Sequence, residues 1–151
     1  MIQEEKQLLL KDLVVRLPYG VFIHYHWSRE GNTIDEDREL DFSDVETLKY
    51  NIENPQNDWC DISWKPYLRR LSSMTEKEFE LLKQYSGLEY DQLDLAELPN
   101  NHKCLDFYLS EVPSDVVVLV FDWLNAHHFD YRLLIEMGLA LEAPEGMYKT
   151  E

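Results

Sequence analysis

Basic residues are scarce in this sequence, as are glycine, cysteine and long apolar runs. Fourteen Lys and Arg stand against 30 Asp and Glu, a formal net charge of −16. A sequence-independent grip on nucleic acid depends on neutralising phosphates, and binding to an anionic membrane surface depends on the same attraction; both are disfavoured. The longest apolar run, Val116 to Phe121, is six residues, far short of the ~20 a spanning helix needs. The five glycines stand at 20, 31, 87, 138 and 146, and no phosphate-cradling loop of the Walker or dinucleotide type can be written with them. Cys60 and Cys104 make no Cys-x-x-Cys, which excludes a zinc ribbon or finger. Neither His-Glu-x-x-His nor a Gly-x-Ser-x-Gly elbow occurs. Two distant cysteines fit small buried thiols in a reducing compartment. Met1 to Lys6 carries neither the basic nor the apolar region of a signal peptide. The expectation is a cytoplasmic protein with no cofactor, no membrane association and no direct nucleic-acid binding.

What is present suffices for a core. The chain has 151 residues, 44% hydrophobic and 13% aromatic, which argues against disorder despite the charge. One α+β domain over residues 1–151 is expected, a small antiparallel sheet with several packed helices. Leu10, Leu13, Val14 and Leu17 fall at helical spacing and predict a helix over 3–17, stopped by Pro18. Val21 to Trp27 alternates as a strand, with His24 and His26 on one face. A turn with Gly31-Asn32 at its tip leads to a second strand within 33–42, and Val45 to Ile52 reads as a third, with Leu48, Tyr50 and Ile52 aligned. Pro66 suits the first position of a short helix that carries Lys65, Arg69 and Arg70.

The strongest local signal lies further on. Thr75 and Glu78 write a capping box, Met74 and Phe79 a hydrophobic staple, and Gly87 a terminus, predicting a helix over 76–86. Leu105, Phe107 and Leu109 have strand spacing. Val116 to Leu124 reads as the middle of a helix over about 114–127, because the run continues through Asn125 and follows cap-type residues. Asp130 is placed to cap a last helix, Tyr131 to Met137, ended by Gly138.

Several segments share a resemblance. Leu17-Pro18-Tyr19-Gly20-Val21 is one, and Lys65-Pro66-Tyr67-Leu68 running into Ser72-Ser73-Met74-Thr75 is another. Asp122-Trp123-Leu124-Asn125 leads to His128-Phe129-Asp130-Tyr131-Arg132, and the stretch from Gly138 to Tyr148 reads GLALEAPEGMY. Together they cover about a quarter of the chain, and in them the sequence resembles a family of small uncharacterised proteins of gut Bacteroidetes and their prophages. Leu133 stands where that pattern leads one to expect glycine, and Arg70 where it leads one to expect proline. The resemblance implies a mobile-element context and brings no catalytic residue with it.

Four groups of residues are candidates for chemistry. His24 and His26 share a strand face and need a third ligand, from His127, His128 or a carboxylate, to hold a metal; otherwise they are a solvent-facing pair. His102 beside Cys104 evokes a thiol nucleophile, but sequence neighbours rarely supply the geometry. His127, His128 and Arg132 form a polar-aromatic cluster able to bind an anion, although Asp130 as a cap and Phe129 and Tyr131 as core residues account for the same segment. Asp35, Glu36, Asp37 and Glu39 make an acidic stretch without the spacing of an EF-hand loop. It is either a solvated hairpin face or a surface that docks a basic protein partner. The favoured expectation is a non-catalytic acidic accessory protein of a phage or mobile element that binds another macromolecule. The alternative is a small metal-dependent or hydrolytic enzyme with a site around the histidines.

Overall fold

The computed structural model describes residues 1–56, 60–87 and 113–149. The fold is α+β, and the chain forms two compact units: residues 1–67 with 136–141, and residues 68–135 with 142–151.

The first unit opens with helix α1, Gln3–Arg16. Pro18 falls in a 3-10 turn, Leu17–Tyr19, which ends the helix as expected. Gly20 then takes φ +68°, a conformation that side chains with a Cβ rarely adopt. A Cβ there would also stand 3.0 Å from Glu39 Oε1. The buried stripe of α1 is Leu9, Asp12, Leu13 and Arg16, while Val14 is exposed. The helical spacing was legible in the apolar residues, but its phase was not. Asp12 and Arg16 lie one turn apart, and Arg16 Nε donates to Asp12 Oδ2 at 2.7 Å with both side chains fully buried. Pairing offsets part of the desolvation cost, so two charges occupy positions that apolarity alone would have left to solvent.

Strands β1, Phe22–Arg29, and β2, Asn32–Glu39, form a hairpin with residue pairs from Phe22↔Glu39 to Arg29↔Asn32. Its tip is Glu30-Gly31, with φ of 50° and 84°. This is the positive-φ pair that matches the twist of a two-residue hairpin connection, and it lies one residue earlier than the sequence suggested. Strand β3, Asp61–Arg70, pairs antiparallel with the other side of β1, so the order in this unit is β2-β1-β3.

Two expectations fail here. Val45 to Ile52 is not a strand but most of helix α2, Phe42–Glu53. Asp41 caps it: its side chain accepts from the Asp44 amide, and Asp44 accepts from the Asp41 amide, both at 3.1 Å. Val45 and Leu48 are buried and Ile52 half-buried, at i, i+3 and i+7, whereas Tyr50 is exposed. Pro66 starts no helix. It lies within β3 opposite Ile23, where Trp64, Pro66 and Leu68 alternate as buried residues of one face. Lys65, Arg69 and Arg70 are therefore strand residues, not the end of a helix.

The second unit holds helix α3, Glu76–Ser86, with the expected capping box, and Gly87 at φ +70° as its C-cap. Helix α4, Ser114–Ala126, contains the apolar run as expected. Its buried face includes Val120, Trp123 and Leu124, while Val117 and Phe121 are half-buried. These three residues join Leu71, Met74, Phe79, Leu82, Phe129 and Tyr131 in one core. Strand β4, Phe129–Asp130, runs parallel to Arg69–Arg70 at the end of β3, so the pairing is mixed, not wholly antiparallel. Beside the short strand β5, Leu141–Glu142, the Ala143 amide donates to the Leu68 carbonyl at 2.8 Å.

The last expected helix, 131–137, is a series of turns. Asp130 still acts as a cap would: its carboxylate accepts from the amides of Arg132, Leu134 and Ile135 at 3.3, 3.0 and 2.9 Å. Leu133, at φ +60°, interrupts the helical path between them. The strand spacing at Leu105–Leu109 and the His102–Cys104 pair lie outside the described residues. No described helix is long and apolar enough to cross a membrane.

Candidate functional site

Two groups of candidate residues kept apart in the sequence meet on the hairpin. A strand turns alternate side chains to opposite faces, and residues paired across a ladder share a face. The register pairs His24 with Asp37 and His26 with Asp35. His24 Nδ1 and Asp37 Oδ1 share a hydrogen bond of 2.8 Å, and His26 Nδ1 and Asp35 Oδ1 share another of 2.8 Å. The remaining ring nitrogens also face carboxylates: His24 Nε2 lies 3.4 Å from Asp35 Oδ1, and His26 Nε2 lies 3.7 Å from Asp61 Oδ2. Tyr67, from β3, donates its hydroxyl to Asp37 Oδ1 at 2.9 Å. Hydrogen bonds from His24 and then Tyr67 hold the Asp37 carboxyl below the ordinary carboxylate value. Burial, reinforced by the bond to Asp37, raises the Tyr67 phenol above its ordinary value.

The four acidic candidates do not form one surface. Glu36 is opposite Tyr25 in register and so lies on the other face from Asp35 and Asp37. On that face Arg38 Nε donates to Glu36 at 2.9 Å, and the Arg38 guanidinium grips Asp44 through two bonds of 2.6 and 2.7 Å. The Asp44 bonds, the largest influence on Arg38, keep it firmly protonated. Trp64 Nε1 donates to the same Asp44 at 3.0 Å, so this carboxylate ties β2, α2 and β3 together. Its partners Arg38 and Trp64 stand 6 and 20 positions away, at spacings that neither helix nor strand periodicity links.

His127, His128 and Arg132 belong to the second unit. His127 stacks on Trp123 at 3.8 Å and its Nδ1 bonds the Trp123 carbonyl at 2.9 Å. His128 is buried at φ +61°, stacks on Tyr148 at 3.8 Å, and its carbonyl accepts from the Arg69 amide at 2.8 Å. The Arg132 guanidinium lies 5.0 Å from the centre of the Tyr131 ring. Arg69 and Arg70 also have partners: Arg69 grips the buried Glu78 at 2.8 and 3.0 Å, and Arg70 meets Glu142 at 2.8 Å.

The first unit also has an open cleft of about 790 Å³ bordered by the start of α1, the end of α2, the first half of β3 and residues 137–139. Its charges cancel, with Glu5, Glu30 and Asp61 against Lys6, Arg29 and Lys65, so it favours neither sign of ligand. Among the described residues, no three His, Cys, Asp or Glu side chains are disposed to hold a metal ion. No protein-family model, curated protein or solved structure matches the chain.

Proposed function

We propose that the protein is a non-catalytic acidic accessory protein of a phage or other mobile element, and that it acts by docking a basic protein on its β1–β2 hairpin. The observation that carries this reading is the exposure of β2: seven of its eight residues are exposed, among them Asp35, Glu36, Asp37 and Glu39. Carboxylates set on a regular strand present charge at fixed spacing, which steers a basic partner and fixes its register. The mobile-element context rests on the resemblance carried by the four segments at 17–21, 65–75, 122–132 and 138–148. The histidines support docking more than catalysis. Both nitrogens of His24 and of His26 face carboxylates, whereas a general base or metal ligand needs one nitrogen turned to its substrate or ion.

The test is capture from native lysate together with association rates at low and high salt. Replacing Asp35, Glu36 and Asp37 by Lys removes their exposed pairs with His26, Arg38 and His24, each of which contributes little to stability, and circular dichroism and the urea midpoint check that the variant is still folded. It should abolish capture of the partner and remove the salt dependence of the association rate. Unchanged capture by the triple variant overturns the reading.

A further inference from the structure

We propose that β2 accepts an added strand: an extended basic segment of the partner pairs its backbone with the outer edge of Asn32–Glu39. The inference rests on the docking reading above and specifies its geometry.

Among the described strands β2 is the outermost of the first unit, with β1 on its inner side over the whole length of the hairpin. Backbone N–H and C=O groups along a strand point alternately to the two sides, so every second residue of β2 turns its pair away from β1. Seven of the eight residues are exposed, and no described strand pairs with that outer row. The pairs run from Phe22↔Glu39 to Arg29↔Asn32 without a skipped residue, and the strand contains no proline. It thus lacks two of the common devices, bulge and proline, that spoil an edge for pairing.

Its charge determines what can pair. A second copy of β2 would set carboxylates against carboxylates, and like charges opposite one another destabilise a ladder. A strand with Lys or Arg at alternate positions would instead meet Asp35, Asp37 and Glu39 on one face. The histidines fix two of these: His26 and His24 take Oδ1 of Asp35 and Asp37. Among the described residues nothing engages either Oδ2 atom, so each remains able to accept from a cation. Backbone pairing supplies the affinity in such an arrangement and alternate side chains the specificity.

A capped peptide of alternating lysine and valine, as long as β2, is the probe; its control is the same peptide N-methylated through its middle, which keeps every charge and removes the backbone donors. The parent should bind at low salt and slow amide exchange at alternate residues of Asn32–Glu39. Methylation should weaken binding by about tenfold or more, since several backbone hydrogen bonds are lost together. Equal binding of the two peptides overturns strand addition while leaving charge-driven docking in place. Failure of both peptides to bind also overturns it, and the docking reading is then judged separately by capture with the charge-reversed variant.

Discussion

His24 Nδ1 lies 2.8 Å from Asp37 Oδ1 across the β1–β2 ladder, where the two residues are direct partners in register. The bond makes the stability of the hairpin depend on pH. Asp37 has a lower pKa folded than ordinary, through His24 and then Tyr67. A carboxyl lowered on folding contributes stability that is fully present above its unfolded value, ~3.9, and is lost as pH falls through the folded value. Asp37→Asn should therefore be less stable than wild type at neutral pH and equal to it well below pH 3.9, by urea midpoints at each pH. A gap of the same size at both pH values would show that the ionised form is not what matters.

The capping box of α3 also closes a buried ion pair. Glu78 is fully buried, accepts from the Thr75 amide at 2.9 Å, and is gripped on both oxygens by Arg69. Burial pushes its pKa up, but the bonds from Arg69 and Thr75 outweigh this and hold it below the ordinary value. Glu78→Gln leaves Arg69 charged and uncompensated beneath the surface, with Phe129 4.2 Å from its guanidinium. The expected loss is about 3–5 kcal/mol. Replacing both partners, Arg69→Met with Glu78→Gln, should recover part of it, since no unpaired charge then remains. A double variant as unstable as the sum of the two single variants would contradict that account.

Local signals in the sequence carried well where the chemistry was local. Thr75, Glu78 and Gly87 mark both ends of α3 because capping involves residues only a few positions apart. The two failures have different causes. Asp41 and Asp44 bracket the start of α2 with a capping box written in two aspartates, a weaker signal than Thr with Glu, and without it Leu48, Tyr50 and Ile52 read equally well at period two. Pro66 was read as a helix start because its strand role depends on pairing with Ile23, 43 positions away. The histidine–carboxylate ladder was half legible. The shared face of His24 and His26 follows from β1 alone, but their meeting with Asp37 and Asp35 depends on the turn falling at Glu30-Gly31. A one-residue shift of that turn changes every cross-strand partner.

Leu133 offers a test of backbone strain. It adopts φ +60°, in the left-handed region, between Arg132 and Leu134, whose amides both bond Asp130. The Asp130 carboxylate holds this turn, so the backbone keeps its path whatever residue stands at 133. A side chain with a Cβ in that region costs about 1–2 kcal/mol. The Leu133 side chain is 43% exposed, which limits what its packing can return. Glycine occupies the left-handed region without penalty but gains freedom in the unfolded chain, a cost of about 0.4–1 kcal/mol. Strain relief exceeds that cost, so Leu133→Gly should stabilise the fold by up to about 1 kcal/mol, read as a raised urea midpoint with an unchanged slope. Leu133→Ala keeps the strained Cβ and removes only the packing, so it should be no more stable than wild type. If alanine stabilised as much as glycine, the gain would come from removing an exposed apolar side chain, and the strain account of Leu133 would be wrong.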